Sequence, residues 1–104
     1  MDTTPILKVA VLNDGRIAVF PESRKAEYQY VYREAAGVYW DQILGCFHST
    51  SPREWTPQKW YQHIVAIVKT GVGIQMVLTP ETKYESTQEG FEDAIKLADQ
   101  GLWR

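Results

Sequence analysis

Apolar and polar positions change period several times along the chain, and each change predicts an element. Residues 6–12 (ILKVAVL) and 16–20 (RIAVF) are β-branched-rich runs on either side of Asn13-Asp14-Gly15, a strong hairpin signal. Two registers are open. A two-residue Asp-Gly turn pairs Asn13 with Arg16, whereas a three-residue loop ending at Gly15 pairs Leu12 with Arg16. The second puts Val9, Val11, Ile17 and Val19 on one face and is the expected one. Pro21 closes the second run, where a missing N–H does least harm.

In residues 28–33 (YQYVYR), tyrosine alternates with Gln, Val and Arg, which is the period of a strand. The competing helix over residues 24–36 scatters the three tyrosines around a cylinder, so a strand is expected. Ala35-Ala36-Gly37 then serves as a three-residue hairpin loop, which sets Tyr32 opposite Trp40 and Tyr28 opposite Leu44. One face of this predicted hairpin carries Tyr28, Tyr30, Tyr32, Trp40, Leu44 and Cys46. The other carries Gln29, Val31, Arg33, Tyr39, Asp41 and Ile43.

The next element is a helix with complete punctuation. Thr56 is the expected N-cap, Pro57 the first helical residue, and Trp55 with Trp60 a hydrophobic staple. Trp60, Tyr61, Ile64, Val65, Ile67 and Val68 make its apolar stripe, and Gly71 is the expected stop. Residues 73–79 read as an apolar strand ended by Pro80. Residues 86–89 (STQE) read as a capping box ahead of a last helix that buries Phe91, Ala94, Ile95 and Ala98, with Glu92 and Lys96 paired outside. Gly101 would cap that helix and let Leu102 and Trp103 pack back. The predicted order is β-β-β-β-α-β-α. This describes a single α+β domain over residues 1–104, with two helices on one face of a mainly antiparallel sheet.

Composition narrows the function classes. The 104 residues are 44% hydrophobic and 23% charged, ordinary for a globular domain. A net charge of −2 carries no electrostatic footprint for nucleic acid. Cys46 is the single cysteine, which excludes an internal disulfide and multi-cysteine zinc sites. No apolar stretch approaches the roughly 20 residues of a membrane helix, and the N-terminus lacks a signal-peptide pattern. A cytoplasmic protein is expected, with no cofactor, no metal, and neither nucleic acid nor membrane as partner.

Candidate chemistry is sparse. Cys46 and His48 would share one side of a strand, but about 6–7 Å of backbone separates such positions, longer than a thiol–imidazole contact requires. His63 lies at the edge of the helical apolar stripe, where histidines are usually packed. Asp41, among large apolar neighbours, could act as a general base if a cavity surrounded it; otherwise it pairs with Arg33. No phosphate loop, dinucleotide fingerprint, nucleophile elbow or metalloprotease helix occurs.

What remains is ring surface, with four Trp and six Tyr. The tyrosine row is expected beneath the helices and the reverse face as an interface. Tyr39, Asp41, Arg33, Ile43 and Val31 are the expected contact residues. A compact α+β chain without a motif resembles the orphan proteins carried on bacterial integron gene cassettes. That resemblance implies a well-folded module with an adaptive or accessory role, often self-associating. The expected function is therefore a non-catalytic binding or interaction module. It would form a homodimer through an aromatic sheet face and take a small apolar ligand or a protein partner. The alternative is a small acid–base enzyme, an isomerase, dehydratase or hydrolase, using Asp41 or His48 in an aromatic pocket.

Overall fold

A computed structural model of the chain describes residues 2–34, 37–49, 55–86 and 88–100. Its strands are β1 (Asp2–Val11), β2 (Ile17–Pro21), β3 (Val38–Asp41), β4 (Cys46–Ser49), β5 (Ile74–Val77) and β6 (Lys83–Glu85). The α-helices are α1 (Pro57–Ile67) and α2 (Phe91–Asp99), and a 3-10 helix spans Ala26–Arg33. The strands form one sheet in the order β3-β4-β2-β1-β5, with β6 also against β1. The protein is α+β, as expected, but its sheet is mixed. β1–β2, β2–β4 and β3–β4 are antiparallel, whereas β5 and β6 both run parallel to β1. After α1 the chain returns to the free edge of β1 in the same direction, the arrangement a helical crossover produces.

The first hairpin adopts the three-residue register. Leu12 N–H donates to the Arg16 carbonyl at 2.8 Å and Gly15 N–H to the Leu12 carbonyl at 2.9 Å, with Val11 opposite Ile17 and Val9 opposite Val19. An irregularity between Ile6 and Lys8 resets the alternation in β1. Because one extra residue is spent there, Ile6 on one side and Val9 on the other both reach the core. The same point is where β1 changes neighbour, from β5 over residues 2–5 to β6 over residues 8–10. Ile6 carbonyl, left between the two ladders, accepts the buried Thr82 hydroxyl at 2.6 Å. Strand β6 lies between Pro80 and residues 86–89, where the sequence pattern predicts no element.

The predicted strand over residues 28–33 is instead the 3-10 helix. A three-residue period stacks Tyr28 and Val31 on one side, and both are fully buried. Tyr30 and Tyr32 turn outward, 45% and 50% exposed, so the expected buried tyrosine row is not formed. A strand would have buried three phenol groups, each needing a partner. The helix buries one, and its hydroxyl lies 2.6 Å from Ser23 Oγ. Tyr28 packs edge-on against Trp40 at 5.0 Å and tilted against Phe47 at 4.9 Å, covering the β3–β4 end of the sheet. Ala35 and Ala36 of the expected loop lie outside the described residues.

Helix α1 begins as expected. Thr56 Oγ1 accepts from Lys59 N–H at 3.2 Å, and the Trp55 and Trp60 rings meet at 4.7 Å. Its end differs, because the chain continues through a π turn, Val68–Val72, that stops at Gly73 rather than Gly71. Helix α2 buries Phe91, Ile95 and Ala98 and carries the Glu92–Lys96 pair at 2.7 Å. It starts at Phe91 with Gly90 as N-cap, so the capping box is not used; Ser86 Oγ accepts instead from Gln88 N–H at 2.9 Å, one turn earlier. Thr87 and the C-terminal group Gly101, Leu102 and Trp103 lie outside the described residues.

One core results. Val9, Ile17, Val19, Phe47, Ile74 and Met76 from the sheet meet Tyr61, Ile64, Val68, Phe91 and Ile95 from the helices. Both helices therefore lie on the same face, and among the described residues no helix lies on the other.

Candidate functional site

The face without helices is paved with small residues. Alternation along the strands directs Ala10, Ala18 and Cys46 to it, each buried although no helix among the described residues covers them. Longer side chains surround them. Lys8 lies over the Phe20 ring at 4.5 Å and pairs with Glu85 at 3.4 Å. Arg16 Nε pairs with Asp14 at 2.6 Å, and its Nη1 lies 3.4 Å from His48 Nδ1. Tyr39, opposite His48 across β3 and β4, leans on the imidazole with ring centres 5.8 Å apart.

At the end of this face β3 and β4 join through residues 42–45, so the strand expected to run unbroken from residue 39 to residue 46 is itself a hairpin. Asp41 makes the turn. Its Oδ1 accepts from the N–H groups of Ile43 and Leu44, both at 2.9 Å, and its carbonyl accepts from Gly45 N–H at 2.7 Å. Gly45 takes φ +79°, and the guanidinium of Arg24 occupies the place where a Cβ would be. Ile43 is thrown outward, 92% exposed, with Leu44 half-exposed beside it.

The five expected contact residues are thus divided. Tyr39, Asp41 and Ile43 fall on one hairpin. Val31 is in the core, fully buried, and offers no surface. Arg33 lies on the 3-10 helix, over the Tyr30 ring at 4.5 Å and the Tyr32 ring at 5.9 Å, and among the described residues it makes no ion pair with Asp41. The pairing with Arg33 gives way to a structural role: the Asp41 carboxylate holds the turn through Oδ1.

Cys46 and His48 share a side of β4, but the thiol is buried and its pKa is pushed up to about 11. Desolvation is the main cause, followed by the Asp41 charge. A group so far from ionisation at neutral pH is a poor nucleophile. His63 packs against Trp55 at 5.2 Å and Trp60 at 5.8 Å, and burial lowers its pKa below the usual imidazole value. Among the described residues no three His, Cys, Asp or Glu side chains converge as metal ligands would. No helix among them is long and apolar enough to cross a membrane.

Among the described residues, two surface clefts of similar size are lined by residues other than Asp41 and His48. One of about 480 Å³ lies between the β5–β6 connection and α2, with Thr79, Thr82, Tyr84 and Lys96 in its wall. The other, of about 460 Å³, lies between the start of the 3-10 helix and the β3–β4 hairpin, lined by Arg24, Lys25, Ala26, Gln29, Trp40 and Gln42. Reading the sequence missed this second cleft. The predicted tyrosine hairpin places Gln29, Trp40 and Gln42 in pairing strands and leaves Arg24, Lys25 and Ala26 ahead of them, and no local pattern marks the six as a group.

No curated protein matches the chain. A solved structure described as "Structure from the mobile metagenome of North West Arm Sewage Outfall: Integron Cassette Protein Hfx_Cass5" is 29% identical, covering 96% of this chain and 98% of its own, at a TM-score of 0.47. The family model described as Integron Cassette Protein Hfx_Cass5 matches residues 6–82, from the middle of β1 to the threshold of β6. The match takes in the first hairpin, the 3-10 helix, the β3–β4 hairpin and α1, and the chain belongs to the Hfx_Cass5 family of integron cassette proteins.

Proposed function

We propose that this protein is a non-catalytic binding module that pairs with a second copy of itself through the β3–β4 edge of its sheet. One observation carries the proposal. Of the seven large hydrophobic side chains exposed among the described residues, five (Tyr30, Tyr32, Tyr39, Ile43 and Leu44) come from residues 30–44. Exposed large apolar side chains gathered on one segment, with a cation among them, favour an association role for that segment. Tyr39 and Ile43 supply contact area in this proposal. Asp41 keeps the hairpin tip rigid, Arg33 with its two tyrosines forms the rim, and Val31 anchors that rim to the core. A cytoplasmic location fits a single cysteine kept buried and free.

Sedimentation equilibrium tests the proposal. The wild type is expected to dimerise at micromolar concentration, and the Tyr39→Ala/Ile43→Ala double variant to weaken the dimer by at least about tenfold, or about 1.4 kcal/mol, with an unchanged circular dichroism spectrum. A wild type that stays monomeric through the concentration range overturns it.

A further inference from the structure

We propose that the cleft between the 3-10 helix and the β3–β4 hairpin binds a small aromatic carboxylate, with the acid on Arg24 and the ring against Trp40. The proposal goes beyond self-association and uses none of Tyr39, Ile43 or Leu44.

Its basis is an unspent cation in a shaped place. Among the described residues Arg24 makes no hydrogen bond and no ion pair, and it shares this with Arg33, Lys59, Lys69 and Lys83; what sets it apart is its place in the wall of a cleft. Its guanidinium lies against the bare α-carbon of Gly45, in the place a Cβ would take. That position sets the exposed planar group beside the hairpin, at the wall of the cleft. A guanidinium in this position presents parallel N–H donors that suit a carboxylate bidentately.

The other walls define the remainder of the ligand. Lys25 stands beside Arg24 and pairs with Asp2 at 3.2 Å, both partners exposed. Such a pair is weak, so an incoming anion can take the ammonium from it. Trp40 is half-buried and fixed from behind by Tyr28 at 5.0 Å and Phe47 at 4.8 Å, which makes it a rigid surface for an aromatic ring. Gln29 and Gln42 bring amide groups able to donate and accept at the ring's rim. At about 460 Å³ the cleft falls within the range of small-molecule sites and suits a one- or two-ring acid.

The test uses 2-naphthoate as probe and its uncharged analogue 2-naphthamide as control, each titrated into the full chain and followed by nitrogen–proton correlation spectroscopy. The expected result with the acid is saturable movement of the Trp40 indole N–H and of the Gln29 and Gln42 side-chain amides, with the other three indoles still. The amide should bind at least about tenfold more weakly. Arg24 is exposed, so Arg24→Gln should fold normally and lose about tenfold in affinity for the acid. As a second variant, Gln42→Glu, which sets a carboxylate in the wall, should abolish acid binding. The Tyr39→Ala/Ile43→Ala variant should bind as the wild type does, which separates this proposal from self-association. Equal affinity for acid and amide, undiminished binding by Arg24→Gln, or stationary signals up to about 5 mM probe would each overturn the proposal.

Discussion

Asp41 and Cys46 face each other across β3 and β4, and each takes its character from where the backbone places it. Asp41 is the residue whose chemistry sequence reading most invited. Its carboxylate is committed to two turn amides, an arrangement that Asp-x-x-x-Gly (residues 41–45) encodes locally. Cys46 is the inert member. With its pKa raised from 9.0 to about 11, the thiolate fraction at neutral pH falls about a hundredfold. Burial further blocks approach of a reagent. Alkylation by iodoacetamide at pH 8 should therefore be at least about a hundredfold slower in the native protein than in denaturant, as mass spectrometry of quenched samples would show. Rapid native labelling would mean that the small-residue pavement opens readily.

At the level of elements, the stop of α1 shows how a backbone need outranks a residue's reputation. Gly71 and Gly73 are both candidates for the end of the helix. The π turn carries the chain past the first and ends at the second, where φ is +82° and Gly73 N–H donates to the Val68 carbonyl at 3.0 Å. Gly71 serves another purpose: the side chain of Glu34, from the end of the 3-10 helix, rests against it. At Gly73 a Cβ would meet nothing within 4 Å, so the cost of substitution there is conformational alone. Gly73→Ala should cost about 1–2 kcal/mol, or about 4–8 °C in melting temperature per kcal/mol. Gly73→Asn should cost less, since Asn tolerates the left-handed region. Thermal denaturation followed by circular dichroism ranks the two. Equal losses would point to packing rather than backbone strain.

For the whole molecule, a histidine packed where α1 meets its staple makes stability depend on acid. His63 sits where α1 meets the Trp55–Trp60 staple, and desolvation lowers its pKa in the fold. The unfolded chain takes up a proton near the ordinary value of 6.5, whereas the folded chain resists until a lower pH. Below pH 6.5 the unfolded state thus binds more protons, and stability falls as pH falls from there towards the folded value. Above pH 6.5 this contribution is fully present. Urea unfolding at pH 7.5 and pH 5.5 should show a lower midpoint at the acidic value, and His63→Gln should flatten the difference. If the variant keeps the wild-type slope across that window, carboxylates rather than His63 govern it.

The sequence by itself determined those parts whose cause is local. The Asn-Asp-Gly loop register, the Thr56 cap with Pro57, the Trp staple and the Glu92–Lys96 pair each depend on residues within a few positions of one another, and each is found as expected. The α+β class followed from the same periodicities. Tertiary structure decided the remainder. Alternation in YQYVYR is compatible with a strand, but the β3–β4 end of the sheet needed a lid over Trp40 and Phe47, and a 3-10 helix places Tyr28 and Val31 there together. The bulge at Leu7 and the pairing of β6 depend on β1 having two neighbours in succession along one edge, which no window of the sequence contains. The same holds for Arg24 and Gly45, twenty-one positions apart. Their contact exists because the 3-10 helix and the hairpin share one core, and core packing acts on surfaces rather than on neighbours along the chain.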